Sequence, residues 1–132
     1  MVTYLLDTST WIELLRGNEA VVQRMQRCSP RAIRLSPIVQ GELETGRQLS
    51  QSAEQAEMLE WVYHSFPRNA FGDAVARQCG VVRAQLRRAG TPIGVNDTWI
   101  AAEALAHGQT VVTANERDFR RVPGLSVENW TV

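Results

Sequence analysis

Short apolar runs alternate with longer helical segments along this chain, and that alternation limits the folds open to it more than any other feature. Each run is too short for a helix and ends at turn-forming or polar residues, as buried strands do. The predicted strands are Val2–Leu6, Ala32–Leu35, Gln109–Thr113 and Gly124–Glu128, with a weak fifth around Ser65 and Phe66. Strands that alternate with helices predict a parallel sheet with helices on both faces.

The intervening segments have helical spacing and clear end signals. Ser36 and Pro37 are typical of a helix start, and Gly90 and Gly108 follow predicted helix ends. The predicted helices are Thr8–Leu15, Glu19–Cys28, Pro37–Gly46, 52–64, Phe71–Ala89 and Asp97–Ala106. We therefore predict a single α/β domain over residues 1–132, with three layers and a short parallel sheet.

Composition excludes several kinds of protein. The 132 residues carry fourteen basic and fourteen acidic side chains, so the chain is not an indiscriminate basic nucleic-acid binder. Every basic residue is arginine, which excludes a P-loop or Schiff-base lysine. Cys28 and Cys79 lack metal-ligand spacing and indicate reduced thiols. Without a signal peptide or a run of about 20 apolar residues, we expect a cytoplasmic protein with no membrane contact.

Four acidic residues lie where apolar runs begin or end. Asp7 and Asp118 follow predicted strands, while Glu42 and Asp97 lie near the starts of predicted helices. Because functional groups of a parallel sheet gather beyond the carboxyl ends of its strands, all four can converge on one edge.

Carboxylates gathered in one place repel, and Mg²⁺, with Mn²⁺ as a substitute, is the natural cation for an all-oxygen site. In this hypothesis Asp7 and Asp97 bind the metal directly or through water, and Glu42 and Asp118 complete the anionic pocket. Glu42 orients or deprotonates the attacking water. The hydroxyls of Thr8 and Thr113 would aim the carboxylates.

Three of the four acidic residues also have a simpler interpretation, whereas Glu42, which lies among apolar residues, is harder to explain structurally. Asp7 could cap the helix that follows it, either Asp97 or Asn96 could cap the next one, and Asp118 could be an ordinary loop residue. Basic residues on the long helix could hold an RNA backbone or lie on a solvated face; they are Arg83, Arg87 and Arg88. The joint position of the four acids favours the functional interpretation.

Taken together, four segments resemble the PIN domain, and more narrowly the VapC-type toxins of bacterial type II toxin–antitoxin modules. They are Leu5–Ser9, Glu42–Gly46, Pro92–Ala102 and Val112–Leu125. The resemblance implies a Mg²⁺- or Mn²⁺-dependent endoribonuclease, a homodimer, and inhibition by a VapB-type antitoxin. It places the family's acidic positions on Asp7, Glu42, Asp97 and Asp118.

The chain departs from the family pattern at two positions. Ser9 stands where asparagine is common, and Asn115 where many PIN domains have aspartate. Asn115 could still offer its amide oxygen, but it leaves the fourth acidic position open between Asp118 and Glu116 and makes a second metal ion doubtful. A catalytically weak or silent PIN-fold binding module therefore stays open. A DNA nuclease also stays open, because the acidic pocket does not need a 2′-hydroxyl, while the missing lysine counts against a phosphatase or receiver module. The sequence does not identify the RNA.

Overall fold

Four short parallel strands form the central sheet in a computed structural model that describes all residues 1–132. The strands are β1 (Tyr4–Leu6), β2 (Ile33–Arg34), β3 (Thr110–Val112) and β4 (Val127–Glu128). Their order in the sheet is β2-β1-β3-β4. Tyr4 is in register with Ile33 on one side and with Thr110 on the other. The predicted parallel sheet is confirmed.

Both faces of the sheet are covered. The neighbouring residues Leu5 and Leu6 are fully buried, and so are Val111 and Val112. Since successive side chains of a strand point to opposite faces, helices must pack on both sides. This confirms the predicted three-layer α/β class.

Seven helices and one 3-10 turn connect the strands. Ser36 begins its helix as predicted, because its hydroxyl accepts hydrogen bonds from the backbone N–H groups of Ile38 (3.1 Å) and Val39 (3.4 Å). The helices are α1 (Thr8–Leu15), α2 (Glu19–Arg27), α3 (Pro37–Ser50), α4 (Ala53–Ser65), α5 (Asp73–Ala89), α6 (Val95–His107) and α7 (Glu116–Phe119), and the 3-10 turn is Pro30–Ala32. None of them is long and apolar enough to pass through a lipid bilayer.

The structure corrects three local predictions. The strand expected around Ser65 and Phe66 is wrong: Ser65 ends α4, and the chain instead forms a single parallel bridge between Leu35 and Arg68. Helix α7 was not predicted. The start of α6 is the most consequential correction, because this helix begins at Val95, with Gly94 as its N-cap, rather than at Asp97.

Candidate active site

Asp7 lies directly after β1, and its carboxylate is held by four donors. Oδ1 accepts hydrogen bonds from Ser9 Oγ (2.6 Å), from the Thr10 backbone N–H (3.1 Å) and from Thr10 Oγ1 (3.3 Å). Oδ2 accepts one from Thr113 Oγ1, at the end of β3. Burial raises the pKa of Asp7, while these hydrogen bonds act in the opposite direction. Asp7 therefore caps α1, as the simpler interpretation expected, and still presents a fixed carboxylate at the sheet edge.

Glu42 lies on α3 and is half-buried. Its Oε1 accepts a hydrogen bond from Thr8 Oγ1 at 2.8 Å, across a sequence separation of 34 residues. The first turn of α1 therefore links Glu42 to the strand end that carries Asp7. This contact fits the role predicted for Thr8 of aiming a carboxylate.

Asp97 lies in the first turn of α6 and is not its cap. The N-cap is Gly94, and no side chain forms a capping hydrogen bond there, so the capping interpretation of Asp97 and of Asn96 is wrong. Burial raises the pKa of Asp97 to about 6, and the negative charges of Asp7, Glu42 and Asp118 add to this rise in that order. The structure thus places Asp7, Glu42 and Asp118 close enough to Asp97 for their charges to act on it.

Asp118 lies on α7, where an amide and a guanidinium contact it. Asn115 Nδ2 donates to Asp118 Oδ2 at 3.1 Å, and the Asn115 amide also favours the ionised form of Asp97 by lowering its pKa. Arg121 Nη1 lies 3.6 Å from Asp118 Oδ1 and donates to the Pro92 carbonyl at 3.3 Å. The other candidate for the fourth acidic position, Glu116, instead lies 3.6 Å from Arg120.

Sequence reasoning gave no role in the site to Thr10 and Arg121. Thr10 Oγ1 donates to the Val112 carbonyl at 2.9 Å and so connects the cap of α1 to β3. Ser9, noted only as a departure from the family pattern, donates to Asp7 and accepts from the Ala114 N–H at 3.1 Å. The only available signal for Ser9 and Thr10 was their place in the turn after Asp7. Nothing local indicates the contact of Arg121 with Pro92.

The donor atoms at this edge suit a hard divalent cation, because they are carboxylate oxygens whose charges repel one another. As the side chains lie, no three acidic, histidine or cysteine residues form a ready-made metal site. A bound ion would have to draw the carboxylates closer together. The residues fit such an ion in chemistry and charge, and metal binding stays a prediction.

The three arginines of α5 predicted to hold substrate do not lie together. Arg83 and Arg87 line one small cavity with Pro92 and Thr98, beside the start of α6. Arg88 instead faces a separate, open depression that it shares with Arg77. The predicted trio therefore separates into a pair near Asp97 and one residue on another face of the helix.

Comparison with known proteins agrees with this geometry. The family model described as "PIN domain" matches residues 4–125. The tRNA(fMet)-specific endonuclease VapC of Salmonella typhimurium is 30% identical over 131 residues, which are 98% of this chain and 99% of that one. Ribonuclease VapC1 of Haemophilus influenzae is 31% identical over 135 residues, covering 97% and 98% of the two chains. The chain belongs to the PIN-domain family, as a VapC-type member.

A solved structure supports the same family assignment. The chain is similar to the DNA-bound VapBC of Salmonella typhimurium, with a TM-score of 0.88, 31% identity, and coverage of 98% of this chain and 99% of that one. The resemblance drawn from the four segments is confirmed, together with the fold it implied.

Proposed function

We propose that this VapC-type chain is an endoribonuclease that depends on Mg²⁺, with Mn²⁺ as a substitute. The observation that supports this most strongly is the placement of Asp7, Glu42 and Asp118 around the half-buried Asp97, where burial and these three negative charges raise its pKa. Keeping four carboxylates at one edge is costly unless a cation offsets their charge. The ribonuclease names of the VapC relatives support the same reaction class.

Each acidic residue has a distinct part in the proposed reaction. Asp7 and Asp97 would hold the ion, and Asp118 would complete the negative pocket. A bound Mg²⁺ would lower the pKa of a water molecule and neutralise charge on the phosphodiester. Glu42, oriented by Thr8, would accept a proton from the attacking water. Thr113, Ser9 and Thr10 keep Asp7 in one orientation by hydrogen bonding.

The proposed substrate is a transfer RNA. The relative from Salmonella typhimurium is named as specific for tRNA(fMet), so initiator tRNA is the first RNA to test. A catalytically silent binding module and a DNA nuclease are the competing interpretations. Asn115, an amide where a carboxylate would add charge, is the feature that favours a silent module.

Cleavage of initiator tRNA and of a quenched fluorescent RNA by purified protein tests the proposal. The assay compares Mg²⁺, Mn²⁺ and EDTA, and includes a DNA strand of matching sequence. Cleavage should require the metal and vanish in Asp97→Asn. Asp73→Asn is the matched control, because Asp73 is 80% exposed and pairs only with Arg77 on the surface of α5. Equal activity in EDTA, or in Asp97→Asn, would refute the proposal.

We also propose that a VapB-type antitoxin covers an apolar groove on the other side of α1. Cavities of about 310, 400 and 320 Å³ adjoin one another there, sharing Leu14 and Trp61 at one junction and Leu15 and Met58 at the next. Trp61 is 54% exposed, which is unusual for such a large apolar side chain. An amphipathic helix laid across the groove would bury this surface, and the similar VapBC structure supports an antitoxin as its source.

Trp61→Ser tests the groove without touching the acidic edge. We expect weaker binding of the co-expressed antitoxin, measured by titration calorimetry, with unchanged RNA cleavage by the free protein. Unchanged antitoxin affinity would place the interface elsewhere. The homodimer implied by the family resemblance stays a prediction, which light scattering of the antitoxin-free protein would test.

A further inference from the structure

A small cavity beside the acidic edge has the features of a binding site for one backbone phosphate. It measures about 110 Å³, and its walls include Arg83 and Arg87 from α5, Pro92 from the following loop, and Thr98 from α6. Pockets for whole small molecules are several times larger, roughly 300–1,000 Å³. The space therefore matches a single anionic group better than a nucleobase with its sugar.

Both arginines are free to bind an anion. Neither Arg83 nor Arg87 forms an ion pair, whereas Arg47 and Arg77 on the surface lie 2.8 Å from a carboxylate oxygen. Arg83 is half-buried, and its guanidinium lies 5.9 Å from the ring centroid of Trp99, which restricts its position. Two guanidinium groups one helical turn apart can contact the oxygens of one phosphate with charge-assisted hydrogen bonds.

Two walls of the cavity connect directly to the predicted catalytic residues. Thr98 follows Asp97 in α6, and its hydroxyl donates to the Gly94 carbonyl at 2.9 Å, which fixes the first turn of that helix. The Pro92 carbonyl accepts the hydrogen bond from Arg121, whose guanidinium also faces Asp118. A phosphate bound in this cavity would therefore be a near neighbour, in the RNA strand, of the phosphodiester bond that is cleaved.

We infer that Arg83 and Arg87 together bind a non-bridging phosphate of the RNA substrate near the scissile bond and thereby set the position of the strand. This inference rests on the proposed ribonuclease function and adds a site to it. Phosphate contacts fix the register of a nucleic acid and carry no base specificity. Their loss should raise KM and leave kcat nearly unchanged.

The test uses Arg83→Gln/Arg87→Gln beside Arg31→Gln/Arg77→Gln, a control that removes the same charge from exposed positions elsewhere. Affinity for initiator tRNA is measured in the Asp97→Asn background, so that binding is read without cleavage. We expect a loss of roughly 10- to 100-fold, since hydrogen bonds to charged groups are strong. The slope of log Kd against log salt should fall by about 0.7–1 for one lost phosphate contact. The control variant Arg31→Gln/Arg77→Gln should show a much smaller change both in RNA affinity and in the salt dependence of Kd.

Phosphate ethylation interference on the same RNA then locates the contact. The parent protein should show interference at one phosphate or at two adjacent ones, and the arginine variant should lose that signal alone. Arg83→Lys/Arg87→Lys keeps the positive charges but lacks the planar guanidinium groups that bind a phosphate through two donors at once. This variant should bind RNA more tightly than the double glutamine variant and less tightly than the parent protein. Thermal melting of every variant confirms that it is folded.

Several results would overturn the inference. Equal weakening by the control would assign the effect to overall charge, and an unchanged interference pattern would remove the contact. Normal RNA affinity with lost antitoxin binding would assign the cavity to the protein partner. Failure of the proposed function is a separate result, because it would appear as metal-dependent cleavage missing from the parent enzyme.

Discussion

Replacing Asp97 with asparagine should abolish RNA cleavage and at the same time make the metal-free protein more stable. Asp97 is half-buried beside Asp7, Glu42 and Asp118, and it forms no capping hydrogen bond that the substitution would remove. Asparagine has nearly the same shape and no charge. The variant therefore loses the repulsion while it keeps the packing of α6.

The expected gain follows from the pKa of Asp97. The difference between about 6 in the folded protein and 3.8 in a model peptide corresponds to about 3 kcal/mol at neutral pH. Because the carboxylate is only half-buried, solvent screening reduces the gain to roughly 1–2 kcal/mol. For a domain of this size, that is a rise in Tm of about 3–8 °C.

The sign of the pH dependence provides a second check. A carboxyl whose pKa is raised by folding binds its proton more tightly in the folded state. The wild-type protein should therefore gain stability as pH falls from 7 toward 4 and lose it again as pH rises through about 6. The extra stability of Asp97→Asn over the wild type should shrink as the pH falls from 7 toward 4, because Asp97 of the wild type becomes protonated and loses its charge.

Urea unfolding in EDTA between pH 4 and pH 8 measures this difference. Asp73→Asn is the control, and it should not be stabilised, since Asp73 is exposed and lies 2.8 Å from the Arg77 guanidinium. Added Mg²⁺ should stabilise the wild type more than Asp97→Asn. A variant that is less stable than the wild type at pH 7.5, or whose gain does not depend on pH, would refute the electrostatic argument.

Three further substitutions probe the surroundings of the site. Thr113→Val should lower the rate of RNA cleavage roughly 10- to 100-fold, because Asp7 Oδ2 and the Asn115 N–H both lose their hydrogen bond with the Thr113 hydroxyl. Thr113→Ser should retain most of the activity, and a fully active valine variant would contradict this prediction. Asn115→Asp should lower the Tm in EDTA and enlarge the rise caused by Mg²⁺, since it adds a negative charge between Asp97 and Asp118; an unchanged Tm in EDTA would contradict this. Glu103→Gln should stabilise the protein at pH 8 and lose that effect in acid, because the carboxyl of Glu103 is fully buried, its pKa is raised by that burial, and its Oε1 has no hydrogen-bond partner. Urea unfolding that shows the variant destabilised at every pH would contradict this prediction.

The elements that could be predicted are those whose signals are local. Ser36 and Pro37 mark the start of α3 because capping and proline geometry act within a few residues. The start of α6 has no such local signal, because Gly94 caps it without any side-chain hydrogen bond, and the acidic residue Asp97 is the first feature in the sequence that resembles a helix start. Helix α7 has four residues, which is too short for any periodicity.

The site could be predicted as a set of carboxylates but not as a set of contacts. Parallel strands place Asp7 and Thr113 at one edge, and this follows from topology. The contact between Thr8 and Glu42 depends on how α1 packs against α3, and the link from Arg121 to Pro92 joins segments 29 residues apart. Such contacts depend on tertiary packing, and no local pattern in the chain encodes them.

Capping and metal binding by Asp7 need not exclude each other. The hydrogen bonds that make Asp7 a helix cap also fix its carboxylate and favour its ionised form against the effect of burial. Asp97 takes part in no capping hydrogen bond, so the pKa of its carboxyl is set mainly by burial and by neighbouring negative charge. Loss of the Asp7 carboxylate should therefore disturb both α1 and the sheet edge, whereas loss of the Asp97 charge should relieve the fold. Within one acidic cluster, hydrogen bonds that cap α1 offset part of the cost of burying Asp7, whereas Asp97 lacks such a cap, and we expect removal of its charge to stabilise the fold.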